Sequence, residues 1–319
     1  MKIVFMEADS VGNDVDLSCF DSLGEVVKYK RSEASENKNR VKDADIIVVN
    51  KIPMNESTLS EAKNLKLICI TATGTNIVDF EYTNMRNIAV ANVSGYSTQS
   101  VIQHTFALLF YVYEKLSYYD NFVKSGDYIR SDIFSHFDKK FNELYGKTWG
   151  IIGLGEIGKG VANIAKAFGC NVIYYSTSGK NANPEYKQVD FDTLLKRSDI
   201  ISIHAPLNQQ TENLINEEAL KKMKKSAILL NLGRGPIVNE EALANALEND
   251  EIAGAGLDVI KVEPMAADNP LYRIQDSTKL IITPHIAWAT KEARNRVIAE
   301  VYKNIEAFMR GEERSIVKQ

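Results

Sequence analysis

WGIIGLGEIGKG, residues 149–160, sets Gly153, Gly155 and Gly158 in the pattern G-x-G-x-x-G. TWGII, just before the first of these glycines, is an apolar run that reads as a strand. EIGKGVANIAKAFG, just after, repeats its apolar residues at helical spacing, and NVIYYS (171–176) reads as the next strand. A glycine turn between strand and helix bends the backbone tightly. It also leaves the first N–H groups of the helix, near Glu156 and Ile157, open to an anion. In a strand–turn–helix setting this is the pattern that accepts the pyrophosphate of a dinucleotide. In a simple dinucleotide-binding domain the pattern lies near the N-terminus, whereas here its first glycine is residue 153.

Working outward, apolar runs alternate with amphipathic stretches in both directions. KIVFME, EVVKY, ADIIVVN, LKLICIT and IAVANV come earlier; DIISIHA, AILLNLG, IAGAGLD and KLIITP come later. Helical patterns such as DFDTLLKRS, EEALKKM and NEEALANALEND lie between the later runs. Apolar strands separated by helices build parallel sheets covered on both faces. The predicted fold class is α/β, with two doubly wound parallel-sheet domains of Rossmann or flavodoxin-like type and a cleft between them. ADIIVVNKIPMNESTL (44–59) and SDIISIHAPLNQQTENL (198–214) share a small residue, Asp-Ile-Ile, a proline and a polar turn. Either the likeness is chance, or the two domains share a design.

STQSVIQHTFALLFYVYEKL (97–116) predicts one helix, with Ser97 or Thr98 as its cap. It is so apolar that it is expected to pack against another domain or subunit. KEARNRVIAEVYKNIEAFMRG (291–311) predicts a long amphipathic helix stopped by Gly311. A chain that crosses between domains near residues 97 and 288 accounts for the late fingerprint. Residues 1–97 with 289–319 then form one domain, and 98–288 the dinucleotide-binding one.

The totals narrow the class. A chain of 319 residues is long enough for two domains. It is 45% hydrophobic and 25% charged, with a formal charge of −4, which speaks against a nucleic-acid partner. Cys19, Cys69 and Cys170 are scattered and form neither a metal spacing nor a disulfide framework, so a reducing cytoplasm is expected. MKIVFMEADS lacks the apolar core of a signal peptide. The most apolar stretch, FALLFYVY (106–113), is too short to span a bilayer, so no membrane association is expected.

A site for NAD ordinarily has a carboxylate at the end of the second strand, on the ribose 2′-hydroxyl. That position here is Ser176, followed by Thr177, Ser178 and Lys180, which could donate to a 2′-phosphate. Both NAD(H) and NADP(H) are therefore compatible with the sequence. His204 and Pro206, in HAPL, are expected near the cofactor.

Three later segments carry the chemistry: NLGRGPIV (231–238) with Arg234, GLDVIKVEPM (256–265) with Glu263, and TPHIAWAT (283–290) with His285. Each follows a predicted strand, where open α/β sheets bind their ligands. With the mid-chain fingerprint, these motifs in this order resemble the D-isomer-specific 2-hydroxyacid dehydrogenase family. GYSTQSVIQHTFAL and H-I-A-W are most similar to glycerate dehydrogenases, also called hydroxypyruvate reductases. The resemblance implies a hydride transfer between a nicotinamide cofactor and a small 2-oxo or D-2-hydroxy acid. It assigns the proton to His285, its support to Glu263 and the substrate carboxylate to Arg234. It also implies that Asp258 bonds the nicotinamide carboxamide. The chemistry suits the side chains: imidazole exchanges protons near neutrality, and guanidinium grips a carboxylate with two prongs. His104, His136 and His204 show no such partnered carboxylate in the sequence, and His104 is expected to be a helix packing residue.

The earlier domain is then expected to bind substrate. In ITATGTNIVD (70–79), backbone N–H groups at Gly74 and Thr75 could hold a carboxylate, with Lys51 in VNKIPM on another wall. A homodimer is expected from the apolar helix and the resemblance. Two other classes compete. One is a non-catalytic dinucleotide sensor on the same fold, as in corepressors that resemble the family. The other is a methyltransferase using the same glycine pattern, which the late motifs disfavour. No G-x-S-x-G elbow for a serine nucleophile occurs.

Overall fold

The computed structural model describes residues 1–179 and 182–318. The chain divides into two compact units, Met1–Ser97 with Ala289–Gln319, and Thr98–Trp288.

In the first unit, β1 (Lys2–Phe5), β2 (Glu25–Lys28), β3 (Ile46–Val49), β4 (Leu67–Ile70) and β5 (Ala89–Ala91) pair in parallel in the order β2-β1-β3-β4-β5. This is the flavodoxin-like order. IIVV of β3 and LICI of β4 are buried along their whole length, as a central strand covered on both faces requires. Short helices α1 (Asn37–Val41), α2 (Glu56–Leu59) and α3 (Phe80–Met85) connect the later strands.

The second unit opens with α4 (Thr98–Tyr113) and α5 (Leu116–Lys124). Its strands are β6 (Thr148–Ile152), β7 (Asn171–Tyr175), β8 (Lys187–Gln188), β9 (Ile200–Ile203), β10 (Ile228–Asn231), β11 (Gly254–Leu257) and β12 (Leu280–Ile282). Between them lie α6 (Glu156–Ala167), α7 (Phe191–Arg197), α8 (Glu217–Lys222) and α9 (Glu240–Glu248). The parallel order is β12-β11-β10-β9-β6-β7-β8, the Rossmann arrangement with one further strand at the β12 edge. Its switch point lies between β6 and β9, beside the glycine turn. After β12 the chain returns to the first unit as α10 (Lys291–Met309), capped by Thr290 and packed against β4.

Two expectations change. The helix expected over 97–116 ends at Tyr113, and Lys115, with φ +58°, turns the chain into α5. The apolar face of α4 packs on α6, β10 and β11 of its own unit, which accounts for residues such as Leu108, Leu109 and Val112 being buried there. Strand β8 has no counterpart in the sequence reading, because its two residues are exposed and polar.

The like segments at 44–59 and 198–214 hold like places. Strand β3 pairs with β1, and β9 with β6, each opposite the second strand of its unit. Their shared aspartates also make the same contact. Asp45 accepts the N–H of Lys2 at 2.8 Å and Asp199 that of Thr148 at 2.9 Å, each at the start of the first strand. The paired segments thus share a design in both sheets.

Candidate active site

Gly153 sits at φ +91°, and a Cβ there would come within 2.8 Å of the Ala205 nitrogen. A Cβ on Gly158 would meet the Gly153 carbonyl at 2.3 Å. Those two glycines let strand, turn and helix close on one another. Gly155, the N-cap of α6, has open space where its Cβ would be. A phosphate can approach the backbone there, toward the N–H groups of Glu156 and Ile157 at the helix start.

The strands on either side of β6 end in polar groups. Ser176 follows β7 directly; it is buried, and its Oγ has no partner among the described residues. Thr177 and Ser178 continue the turn, and Lys180 lies outside the described residues. After β9, the indole N–H of Trp149 donates to Ser202 Oγ at 2.9 Å, and Ser202 Oγ lies 3.0 Å from His204 Nε2. The other ring nitrogen of His204, Nδ1, is buried with no partner among the described residues. Burial pushes the imidazole pKa down to about 3, so the ring is neutral at physiological pH. Pro206, two residues on, is exposed, and its carbonyl accepts from Thr211 Oγ1 at 2.7 Å. Two orphaned polar atoms beside an open glycine turn fit a polar dinucleotide.

Strands β10, β11 and β12 are neighbours, and each leads into one of the chemical motifs. At the end of β10, Asn231 accepts the N–H of Gly233 and donates to the Arg234 carbonyl, both at 3.0 Å, and thereby holds the arginine turn. A Cβ on Gly235 would lie 2.0 Å from the Ile260 carbonyl. Only glycine lets the arginine turn rest on the backbone that leads to Glu263. Oε1 of Glu263 accepts the N–H of Ile260 at 3.3 Å, and Oε2 lies 2.7 Å from His285 Nδ1.

His285 has φ +54°, a conformation that residues with a Cβ adopt only when their surroundings hold it. Its N–H donates to the carbonyls of Asp258 at 2.9 Å and Thr283 at 2.8 Å. The Asp258 side chain, 2% exposed, accepts from Thr283 Oγ1 at 2.7 Å and from the N–H groups of Ile286 and Ala287 at 2.8 and 2.9 Å. Asp258 is thus committed to the turn that carries His285, and any bond to a carboxamide would be additional.

His104 is more than the packing residue expected. Its Nε2 lies 3.0 Å from Thr283 Oγ1 and 3.6 Å from Asp258 Oδ1. His136 is stacked on Phe122 and bonded to Tyr118 instead. Neither Thr283 nor His104 carries a local signal, because their partners are far away in sequence.

In the first unit, one carboxylate oxygen of Glu7, just past β1, accepts the N–H groups of Asn50, Lys51 and Ile52 at 2.9, 2.9 and 3.2 Å. This clamp on the Lys51 loop was absent from the sequence reading. Asn50 also donates to Thr71 Oγ1 at 3.0 Å, which ties the ends of β3 and β4 together. Just beyond, the N–H groups of Gly74 and Thr75 have no partner among the described residues, while the Thr75 carbonyl accepts from Val78 at 3.0 Å.

A family model described as D-isomer specific 2-hydroxyacid dehydrogenase, NAD binding domain, matches residues 106–287. The chain belongs to the D-isomer specific 2-hydroxyacid dehydrogenase family. This dehydrogenase is 38% identical to a glycerate dehydrogenase of Methylorubrum extorquens over 99% of each chain. It is 36% identical to a hydroxypyruvate reductase of Blautia hydrogenotrophica over the whole of both. Among solved structures, the D-lactate dehydrogenase of Aquifex aeolicus, in complex with NAD and lactic acid, is 29% identical with a TM-score of 0.84, covering 97% of this chain and 96% of that one. The family resemblance and the two parallel α/β sheets expected from the sequence are both borne out. Among the described residues, no helix is long and apolar enough to cross a membrane, and no cluster of side chains is placed to hold a metal ion.

Proposed function

We propose that this dehydrogenase reduces hydroxypyruvate or glyoxylate to the corresponding hydroxy acid with a nicotinamide cofactor. The observation that carries the reading is the 2.7 Å pairing of His285 Nδ1 with Glu263. A carboxylate that accepts from Nδ1 leaves Nε2 as the nitrogen that can give a proton. The reduced cofactor, when bound, supplies a hydride to the substrate carbonyl carbon. His285 delivers the proton to the carbonyl oxygen from Nε2, and Glu263 balances the charge on the ring. Arg234 holds the substrate carboxylate and polarises the carbonyl. Gly74 and Thr75, whose backbone N–H groups suit a carboxylate, and Lys51, in the loop that Glu7 clamps, are assigned to substrate binding. Asp258 acts mainly by holding the His285 turn.

For the cofactor, Gly153, Gly155 and Gly158 with the N–H groups of Glu156 and Ile157 are assigned to the pyrophosphate. Ser176, Thr177 and Ser178 are assigned to the adenosine ribose, and His204 and Pro206 to the neighbouring wall. A hydroxyl at residue 176 admits NAD(H) and NADP(H) alike.

A homodimer in a reducing cytoplasm completes the reading. Isolated cysteines support the compartment. A run of exposed apolar side chains supports the dimer: Ile129, Phe134, Phe137 and Tyr145 are 87%, 90%, 73% and 78% exposed.

The test is the oxidation of NADH and NADPH, followed by absorbance, with a panel of 2-oxo acids. Turnover should be fastest with hydroxypyruvate or glyoxylate and slower with pyruvate and bulkier acids. Tight cofactor binding with no turnover on any acid would overturn the reading in favour of a dinucleotide sensor.

A further inference from the structure

Helix α4 presents Ser100 and His104 one turn apart, on one face. Ser100 Oγ donates to the carbonyl of Ala287, and His104 Nε2 lies 3.0 Å from Thr283 Oγ1. These contacts hold the two ends of the turn that carries His285. Thr283 donates its hydroxyl hydrogen to Asp258 at 2.7 Å, so it can only accept from His104. His104 must therefore carry hydrogen on Nε2. The bond fixes the Thr283 hydroxyl, which feeds the Asp258 carboxylate. That carboxylate in turn collects the N–H groups of Ile286 and Ala287. On the main chain, the carbonyls of Asp258 and Thr283 both accept from His285, whose φ of +54° needs such support.

We infer that His104 is a positioning residue of this active site, holding the His285 turn through Thr283 and Asp258. Glu263 orients the ring; the chain His104–Thr283–Asp258 orients the backbone that bears it. The inference rests on the reading of His285 as proton donor. It gives α4 a role beyond packing.

The experiment compares His104→Leu, His104→Gln and Thr283→Val with the parent. The Gln amide reaches the place of Nε2 and keeps a donor; Leu keeps bulk and loses it. Steady-state kinetics with hydroxypyruvate give kcat and KM. Imidazole NMR on the cofactor-free protein gives the state of the ring, and four histidines make the signals assignable. His104→Leu should lower kcat about 10- to 100-fold, the scale of misplacing a reacting group by a fraction of an ångström to one ångström. KM should stay within about threefold, since no substrate contact is removed. The His285 imidazole signal should shift. His104→Gln should recover kcat to within about threefold of the parent. Thr283→Val should match His104→Leu, and it carries the test alone if the Leu variant does not fold. Parental kcat with an unmoved His285 signal in His104→Leu and Thr283→Val overturns the inference. So does a Gln variant as impaired as Leu, or a rise in KM with kcat retained. His285→Ala separates the two levels: if it turns over normally, the proton-donor reading itself fails. If it is inactive while the His104 and Thr283 variants are not, only the positioning role fails.

Discussion

Nδ1 of His285 lies 2.7 Å from Oε2 of Glu263, and the other oxygen of that carboxylate accepts the N–H of Ile260. The carboxylate therefore joins the ring to the loop after β11. It pins the imidazole by one nitrogen, Nδ1.

Reduction consumes a proton, which His285 supplies from Nε2 while Glu263 balances the charge left on the ring. In Glu263→Gln the amide still reaches Nδ1 but carries no charge, and kcat should fall on the order of 10-fold or more. NADH affinity, measured by fluorescence, should change little. His285→Ala should bind NADH yet lose most turnover at every pH, and the double variant should be little worse. A Glu263→Gln variant with parental kcat would reduce Glu263 to a turn residue before Pro264.

Arg234→Lys should lose on the order of 10²-fold or more in kcat/KM. Lysine keeps the charge but not the planar fork. The turn around residue 234 is held by Asn231 and by the close approach of Gly235 to Ile260, so the fold should be unaffected. Near-parental steady-state kinetics would leave Arg234 as a loop charge.

Ser176→Asp should shift cofactor preference toward NADH. A carboxylate at the end of β7 accepts from the ribose hydroxyl and repels a 2′-phosphate. The ratio of kcat/KM for NADH to that for NADPH is the readout. An unchanged ratio would place the ribose away from Ser176.

His204 makes the protein acid-sensitive. Its pKa is about 3 in the folded chain, because burial disfavours the charged ring. The unfolded chain takes up this proton below about pH 6.5. Unfolding therefore binds a proton between these values, and stability falls as pH drops from about 6.5 toward 3. At about pH 4.5 the loss relative to neutral pH should be about 2.5 kcal/mol. Urea unfolding of the parent and of His204→Gln at neutral and acid pH measures it. Parallel losses in the two proteins would show that this imidazole takes up its proton while folded.

Phe134→Glu combined with Phe137→Glu should convert a dimer to a monomer. Both rings are exposed, at 90% and 73%, and burying two charges in a shared apolar face is unfavourable. Sedimentation velocity distinguishes the outcomes. A parent that sediments as a monomer, or a variant that stays dimeric, removes this surface from the proposed interface.

Much of the fold was legible because the signals are local. Strands β3, β4, β9 and β10 are short apolar runs, and a central strand of a parallel sheet is buried on both faces. The glycine turn was legible because its backbone geometry limits which residues fit: Gly153 is left-handed and Gly158 touches the Gly153 carbonyl. Strand β8 was not legible, since two exposed polar residues carry no pattern. The end of α4 at Tyr113 was not legible either, because Lys115 and Leu116 continue a helical composition through a left-handed turn.

The sequence by itself determined the α/β class, the alternation of strands and helices, and the candidates Arg234, Glu263 and His285. These follow from periodicity and from motifs whose residues lie close together in the chain. Tertiary structure alone decided what those residues touch. It turned α4 inward onto β10 and β11, put His104 against Thr283, spent Asp258 on the His285 turn, and set Glu7 under the Lys51 loop. The physical reason is distance along the chain. A hydrogen bond between residues 104 and 283 leaves no periodicity in either segment, and it exists only once the sheet has brought the ends of its strands beneath a helix that begins the unit.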